Sequence, residues 1–423
     1  MAVLNYLVNT VFRQPPLFLG LIALLGLLLQ KKGLSDTVKG TLKTVIGVIV
    51  LMKGVDIIVA SINPLATAFT NIYAIPAEEA INPMGMGGFL TEYGSVVGLV
   101  MVLAFVVNLI VARFTPIKNI FLTGHIFFWM SFIFVAVGVE GGLSGTALTI
   151  FATIFLSIYI IVTPALLRPY VKEVTGTDSF TIGHTCSLFC LIGSWIGKLF
   201  GNKEQSTEEL KLPESLDFMR DTTIATGLVM FIVYFVVGLM IGAEAREAAF
   251  GGADVFTFSL MQGLTFGAGL TVLLTGVRLM LGEIIPAFRG IAMKLIPGAI
   301  PALDCPMVFP YAPNAVLIGF VVSMLASIAT IAILAATGSI SYAVIPLTVA
   351  CFFDVAPGAV FANATGGRRG VILTSIIGGV LLILFEAWSI PFLQHTVSDF
   401  VQAFGGNDFS LWAIIPSFFT GLF

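Results

Sequence analysis

The stretch PGAIPALDCPMVFPYAPN, residues 297–314, interrupts a chain that otherwise consists largely of long apolar runs. It holds five prolines and a single carboxylate, that of Asp304. Each proline removes a backbone donor and clashes with the preceding turn, so the stretch cannot form a regular helix. Irregular backbone at membrane depth is tolerated only where it is buried in protein or lines a cavity. If the flanks span a membrane, Asp304 is therefore expected to belong to a polar site inside the protein.

The composition predicts an all-α, polytopic membrane protein. Hydrophobic residues make up 58% and charged residues 10% of the 423 residues, and the mean hydropathy is +1.05. Many apolar runs reach the roughly 20 residues needed to span the hydrocarbon core. The net charge of −3 comes without a basic tract for nucleic acid. The N-terminus lacks the pattern of a cleavable signal peptide, so the first run is expected to stay in the mature protein.

Ten spans and the start of an eleventh can be placed on the sequence. They lie near 16–30, 44–62, 95–113, 119–139, 145–167, 223–243, 255–275, 315–337, 341–363 and 371–393. The eleventh run begins near residue 409 and continues to Phe423, which is consistent with a clipped C-terminus.

Basic residues concentrate in alternate loops. The basic loops hold Lys31 to Lys43, Arg113 with Lys118, Arg168 with Lys172, Lys198 to Arg220, Arg289 with Lys294, and Arg368 with Arg369. No Lys or Arg occurs between Lys53 and Arg113. The positive-inside rule places the basic loops in the cytoplasm and the N-terminus outside, with Arg246 as a minor exception.

This topology requires two segments that enter and leave on the cytoplasmic side. They are 179–198, which contains SFTIGHTCSLFCLIGSW, and 295–314. We predict two re-entrant segments, one in each half of a single membrane domain, 1–423. The halves are about 1–200 and 223–423, joined by a cytoplasmic loop at 201–222. Interruptions in corresponding halves point to a transporter's binding site.

A faint internal repeat supports the division into halves. The pentapeptide KTVIG (43–47) resembles KLIPG (294–298), and an acid follows each. Matches this short also arise by chance.

Two of the three histidines share a sequence setting. His125 lies in FLTGHIFFW and His184 in FTIGHTCS, so each follows a glycine within an apolar segment. A single histidine in such a place is often a core imidazole bonded to backbone. The shared setting favours a common polar site, because a neutral imidazole both donates and accepts a hydrogen bond.

The buried acids have competing interpretations. Asp304 either satisfies backbone donors freed by the prolines or binds substrate hydroxyls and accepts a proton from one of them. Glu283 either binds substrate or pairs with Arg278, five residues before it. The other ionisable residues in spans are Lys53 and Asp56, which can form an ion pair three residues apart, together with Asp354 and Glu386, to which the sequence assigns no role.

Several classes of function are not indicated. The chain has no P-loop, no HExxH motif and no haem-ligand pattern, so no metal or cofactor is predicted. The four cysteines, at 186, 190, 305 and 351, are expected to be small packing residues. The longest charged loop, 201–221, is too short to fold alone. Energy for uphill transport must come from an ion gradient or from a separate protein.

Six segments, taken in order, resemble one family. They are QKKGLSDTVKGTLKTVIG (30–47), LTGHIFF (122–128), FTIGH (180–184), TGVRLMLGEIIPAFRGIAMKLIPGAIPALDCP (275–306), YAPNAVLIGF (311–320) and VFANATGGRRG (360–370). Together they are similar to the ascorbate-type enzyme IIC permease of the bacterial phosphotransferase system, in the ascorbate–galactitol group. The resemblance runs through nearly the whole chain.

The resemblance implies a fold and a way of working. The fold is about eleven transmembrane helices in two pseudo-symmetric halves, with a core domain, a dimerisation domain and an elevator-type movement. The protein is then a homodimer in the bacterial inner membrane. A separate enzyme IIB transfers phosphate from a phosphocysteine to a substrate hydroxyl, and enzyme IIA recharges IIB. No IIA or IIB domain is expected within this sequence.

The resemblance also implies site residues. His125, His184, Asp304 and Glu283 match polar positions of the family, with Asp304 as the general base. Ascorbate transporters of the family carry glutamines just after the two histidines, where this chain has Trp129 and Met130, and Thr185 and Cys186. The substrate is therefore ascorbate or a related sugar, sugar acid or polyol, with Thr185 bordering it and Trp129 stacking on it.

Two further interpretations concern partners and energy. The basic residues at 289, 294, 368 and 369 are expected either to attract the phosphate and acidic surface of the partner or simply to reflect topology. The competing class of function is a proton- or sodium-coupled secondary transporter, in which Asp304 or Asp56 carries the proton.

Overall fold

The computed structural model describes residues 14–73, 83–210, 218, 221–339, 344 and 346–423. Helices dominate it, and we number them in chain order. They are α1 (Pro15–Leu29), α2 (Leu34–Tyr73), α3 (Gly85–Phe114), α4 (Gly124–Glu140), α5 (Gly145–Thr175), α6 (Ser187–Phe200), α7 (Thr222–Met240), α8 (Ala243–Phe250), α9 (Val255–Lys294), α10 (Pro313–Thr337), α11 (Thr348–Ala350), α12 (Ala356–Ser389), α13 (Ser398–Phe404) and α14 (Asp408–Ser417).

Five helical segments in these residue ranges are long and apolar enough to cross a membrane. They are Glu92–Phe114, Gly145–Thr175, Ala243–Met280, Pro313–Thr337 and Thr348–Phe392. Shorter apolar helices cover Gly124–Glu140, Ser187–Phe200 and Thr226–Met240. Large apolar side chains on the long helices remain exposed, such as Ile110, Leu166 and Leu325. This is the surface expected of helices that face lipid.

Three very short strands form a parallel sheet among the helices. They are β1 (Asn119–Phe121), β2 (Thr181–Ile182) and β3 (Ile300–Leu303), and β3 lies in the centre. Asn119 pairs with Ile300 in β3, and Ile182 pairs with Leu303. The sheet therefore joins segments that are 181 residues (Asn119 to Ile300) and 121 residues (Thr181 to Ala302) apart in sequence.

The edges of this sheet are closed by side chains. On the β1 side, Asn108 of α3 donates to the carbonyl of Asn119 at 3.0 Å and accepts from the backbone N–H of Phe121 at 3.0 Å. On the β2 side, the Thr181 hydroxyl donates to the carbonyl of Pro164 at 2.8 Å. A polar sheet edge can lie among apolar helices only when such partners satisfy it.

Both segments predicted to be re-entrant consist of a short strand followed by a short helix. Segment 179–198 begins near the end of α5 as β2 and returns through α6, where Lys198 Nζ lies 3.1 Å from the Glu173 carboxylate of α5. At 14 residues, α6 is too short to span a bilayer. Segment 295–314 runs as β3 and then as a 3-10 helix, Cys305–Tyr311. It ends at the start of α10, where the N–H groups of Asn314 and Ala315 donate to Glu208.

The stretch VFANATGGRRG contains a break in the backbone. Gly367 has φ +59° and ψ −154°, which divides α12 into two helical pieces. A Cβ atom there would lie 2.3 Å from the carbonyl oxygens of both Asn202 and Gln205, so only glycine fits. The loop after α6 closes the break, because Asn202 N–H donates to the carbonyl of Gly366 and Arg368 N–H donates to that of Gln205.

Several local expectations require correction. The span predicted at 119–139 begins with β1, and its helix starts only at Gly124. The span predicted at 341–363 contains a π-helical turn, Cys351–Val355, and part of it lies outside the described residues. KTVIG lies inside α2, whereas Gly298 lies beyond the end of α9 with φ +73°, so these pentapeptides do not occupy equivalent positions.

Candidate functional site

Each of the three strands is followed, within four residues, by one of the residues that the sequence singled out. Parallel strands point their carboxyl ends to one edge of a sheet. His125 follows β1 by four residues, His184 follows β2 by two, and Asp304 directly follows β3. The imidazole rings of His125 and His184 lie with their centroids 6.0 Å apart. The structure therefore brings His125, His184 and Asp304 together, and their role in binding stays a prediction.

The close packing around Gly183 explains why a glycine precedes His184. A Cβ atom there would lie 2.8 Å from the ring of Phe121 and 3.0 Å from Cβ of Ala302. Its N–H donates to the carbonyl of Leu303 at 2.8 Å. The missing side chain allows the backbone to approach the sheet closely before it presents His184.

A cavity of about 360 Å³ lies at this edge of the sheet. The volume is at the small end of the roughly 300–1,000 Å³ common for small-molecule sites. Its polar lining comes from His125, His184, Thr185, Asp304, Asp354, Asn407 and Asp56, and its apolar lining includes Trp129, Phe353, Phe400, Phe404 and Phe409. A few convergent polar groups on an aromatic wall suit one small, hydroxyl-rich molecule.

Asp304 lies between the two imidazoles. Its Oδ2 is 3.8 Å from His125 Nε2, and its Oδ1 is 3.6 Å from His184 Nε2. Both separations are too long for hydrogen bonds. Oδ1 also accepts from the N–H of Cys305 at 2.8 Å and so caps the 3-10 helix. The structure is therefore compatible with both interpretations of Asp304. Its carboxylate accepts from a backbone N–H in the proline-rich stretch, and it also lines the cavity.

Thr185 determines the tautomer that we assign to His184. Its hydroxyl donates to Asp354 Oδ1 at 2.6 Å and lies 3.2 Å from His184 Nδ1. A hydroxyl has one proton, and the carboxylate accepts it, so Nδ1–H of His184 must donate to Thr185. In a neutral His184, the lone pair of Nε2 then faces Asp304, whose Oδ1 lies 3.6 Å away. Two acceptors that face each other in this way require a proton donor or a cation between them.

Asp354 is the main site residue for which the sequence suggested no role. It lies in the π-helical turn, is 2% exposed, and accepts from Asn407 Nδ2 at 2.8 Å as well as from Thr185. The only sequence signal was an acid in an apolar run disturbed by proline and glycine. Asp354 supports His184 from behind, as carboxylates behind functional histidines commonly do.

The segment around Asn407 was also missed. Asp408 accepts from the N–H of Leu188 at 3.2 Å and from the hydroxyl of Tyr159 at 3.2 Å, and its own N–H donates to the carbonyl of Thr185. These bonds hold the start of α14 against the start of α6. Asn407 thereby reaches Asp354.

The residues at the altered positions divide into two groups. Trp129 and Thr185 line the cavity, whereas Met130 and Cys186 are fully buried and do not line it. The Trp129 ring packs on Phe400 with centroids 5.0 Å apart. Stacking of a substrate on Trp129 stays a prediction.

Glu283 lies apart from this cavity. Its Oε1 accepts from Lys43 Nζ of α2 at 3.2 Å, and it is not among the lining residues. Its alternative partner was expected to be Arg278, but the salt bridge observed is the one with Lys43. Lys53 and Asp56 do form the expected pair, at 2.8 Å, and Asp56 borders the cavity.

The basic residues of the expected rim are only partly described. Arg289 and Lys294 lie on α9, but their side chains lie outside the described residues. Arg368 donates to the carbonyl of Ser206 and lies 3.3 Å from Glu209, and Arg369 is exposed. Arg368 therefore helps to close the break at Gly367.

Comparison with known proteins assigns the family. The model of EIIC-GAT, the PTS system sugar-specific permease component, matches residues 10–408. The chain belongs to the EIIC-GAT family. A relative, the ascorbate-specific PTS system EIIC component of Mycoplasma pneumoniae, is 30% identical over an alignment of 448 positions that covers 92% of this chain. The chain spans 66% of that protein's length, slightly less than two thirds.

The family agrees with the fold. EIIC-GAT proteins are permease components, and the five long apolar helices fit that role. The chain is a multi-pass membrane protein, as its composition predicts. The resemblance noted in the six sequence segments is confirmed.

Proposed function

We propose that this EIIC-GAT protein is the membrane-embedded, substrate-translocating subunit of a sugar phosphotransferase system. It imports ascorbate or a related sugar, sugar acid or polyol, and a separate enzyme IIB phosphorylates the substrate. One observation carries the proposal: three strand ends bring His125, His184 and Asp304 to one sugar-sized cavity in a permease-family protein.

The cavity binds hydroxyl groups by complementary polarity. A substrate hydroxyl between Asp304 and His184 donates to one of the two facing acceptors and relieves their repulsion. His125 binds a second hydroxyl, and Thr185 borders the site. Trp129 provides an apolar face for the carbon skeleton of the sugar. Glu283, which lies outside the cavity, contributes only in another arrangement of α2 and α9.

Asp304 acts as the general base. As the substrate oxygen attacks the phosphorus of the phosphocysteine on IIB, the hydroxyl proton passes to the Asp304 carboxylate. The S–P bond breaks and leaves a thiolate on IIB, which enzyme IIA phosphorylates again. The product gains negative charge and cannot cross apolar membrane, so phosphorylation traps it and no ion gradient is required. The phosphoryl transfer itself needs IIB.

The finer architecture belongs to the same proposal. We expect about eleven spans in two pseudo-symmetric halves, with the segments containing β2 and β3 re-entrant from the cytoplasm. The N-terminus lies outside the bacterial inner membrane. A homodimer with a mobile core and a dimerisation domain provides elevator-type transport. Among the basic residues, Arg289, Lys294 and Arg369 attract the phosphate of IIB, while Arg368 also supports the loop at 201–209.

Transport in proteoliposomes tests the proposal. Wild-type protein with phosphorylated IIB on one side should take up labelled ascorbate, or a sugar that stabilises the purified protein, and release it phosphorylated. Asp304→Asn should abolish uptake without changing the melting temperature or oligomer size. Asp178→Asn is the matched control, because this exposed acid pairs with Arg168 away from the cavity.

Two results would contradict the proposal. Wild-type uptake by Asp304→Asn would remove the assigned role of this carboxylate. Uptake driven by an imposed pH or sodium gradient, without IIB and without phosphorylation, would establish the secondary transporter instead.

A further inference from the structure

The cluster at the strand ends also has the composition of a transition-metal site. Among the residues that the structure describes, His125, His184 and Asp304 are the group whose ligand atoms all lie within 4.8 Å of one another. They are distant in sequence and match no metal-binding spacing, which is why the sequence predicted no metal. The sheet creates the cluster.

The separations fit coordination better than direct contact. The carboxylate oxygens of Asp304 lie 3.8 Å from His125 Nε2 and 3.6 Å from His184 Nε2. Ligands at about 2.0–2.1 Å from a tetrahedral zinc ion lie about 3.3–3.4 Å from one another. The three ligand atoms all lie within 4.8 Å of one another, so they must move closer together to hold an ion at these distances.

The surroundings of His184 also suit a metal ligand. Its Nδ1 lies against Thr185, which donates to Asp354, so its Nε2 faces the cluster and serves as the metal ligand once it is deprotonated. The non-ligating nitrogen of a metal-binding histidine commonly donates to a polar group that fixes the orientation of the ring. The Asp304 and His184 side chains are 4% and 6% exposed, which protects the ligands from bulk water.

We propose that His125, His184 and Asp304 bind a divalent transition-metal ion such as Zn²⁺, with a fourth coordination position open to the cavity. Two imidazoles and one carboxylate favour Zn²⁺ over Mg²⁺, which prefers oxygen ligands and octahedral geometry. The inference goes beyond the proposed transport function and does not depend on it. A bound ion would take the position between Asp304 and His184 where a substrate hydroxyl would bind, so Zn²⁺ would inhibit substrate binding.

Calorimetric titration of the purified full-length chain, stripped with EDTA, tests the proposal. ZnCl₂ should bind with one ion per chain, and MgCl₂ at the same concentration should give no heat. His125→Gln and Asp304→Asn should each weaken Zn²⁺ binding at least tenfold. His395→Gln should leave it unchanged, because this third histidine pairs with Glu140 at 2.7 Å outside the cavity.

The spectrum of bound Co²⁺ identifies the ligands independently of stability. A tetrahedral site with nitrogen and oxygen ligands gives visible d–d bands without a thiolate charge-transfer band. Cys186, Cys190 and Cys305 are buried in the same region and offer the competing ligands. A thiolate band that disappears in Cys305→Ser would overturn the proposal, as would absent Zn²⁺ binding or equal affinity in the folded His125→Gln and Asp304→Asn variants.

Discussion

Thr185→Val replaces one hydroxyl at the centre of the site by a methyl group and leaves the rest of the side chain unchanged. The hydroxyl is buried, donates to Asp354 Oδ1 at 2.6 Å and, in the tautomer assigned to His184, accepts from Nδ1 at 3.2 Å. A hydrogen bond to a charged group contributes about 1.5–3 kcal/mol and a neutral one about 0.5–1.5 kcal/mol. Because valine has the shape of threonine, no cavity is added. We expect the free energy of unfolding to fall by about 2–4 kcal/mol.

Thr185→Ser provides the matched control. It keeps the hydroxyl and loses one buried methyl group, which costs about 0.8 kcal/mol. Unfolding in mixed detergent micelles, followed by the fluorescence of the four tryptophans, compares the two variants at equal protein concentration. The Thr185→Val variant should have a clearly lower free energy of unfolding than the Thr185→Ser variant. Equal stability of the two variants would show that Thr185 does not link His184 to Asp354, and the tautomer assigned to His184 would lose its basis.

Three further substitutions test the framework of the site. Gly183→Ala places a methyl group 2.8 Å from the ring of Phe121, and overpacking of this kind should cost about 1–3 kcal/mol, measured as a lower melting temperature by size-exclusion chromatography of heated samples. Asn108→Leu leaves the Phe121 N–H without its side-chain acceptor and should cost about 1–3 kcal/mol in the same assay; unchanged melting would contradict the role of Asn108 at the sheet edge. Gly367→Ala conflicts with both a positive φ and two nearby carbonyls, so protease cleavage within 201–209 should become faster, whereas Gly87→Ala, which has open space around it, should not change the cleavage rate.

The sequence indicated three residues that cluster in the structure but not the sheet that brings them together. The Gly–His pairs and the proline-rich stretch around Asp304 were visible as anomalies in apolar runs, and the structure places them together. The parallel sheet could not be predicted from the sequence. Strands of two to four residues are too short to show the alternation that identifies a strand in sequence. Their pairing depends on contacts between segments far apart in the chain.

The partners of charged residues were harder to predict than the charges. Lys53 and Asp56 are three residues apart on one helix, and their pair follows from helix geometry. Glu283 instead pairs with Lys43 on the neighbouring helix, which no local spacing predicts. Asp354 likewise accepts hydrogen bonds from Thr185 and Asn407, which are distant from it in sequence. Tertiary packing decides such pairs, so a single sequence identifies the buried acid without its role.

The parallel sheet has a mechanical consequence for the proposed elevator movement. Both outer strands pair with β3, so the segments that carry His125, His184 and Asp304 are joined and are expected to move together. The cavity is also bordered by Asp56 of α2 and Leu273 of α9, helices that pack along each other rather than within the sheet.

A movement of the sheet against the α2–α9 pair would therefore change access to the cavity without separating His125, His184 and Asp304 from one another. Spin labels on Leu166 of α5 and Leu264 of α9, both exposed, should show a change in their distance distribution when a stabilising sugar binds. Labels on Leu166 and Ile150 within α5 should show no change. If the first distance also stays constant while the sugar binds and is transported, the sheet and the α2–α9 pair move as one body, and access to the cavity must be controlled elsewhere.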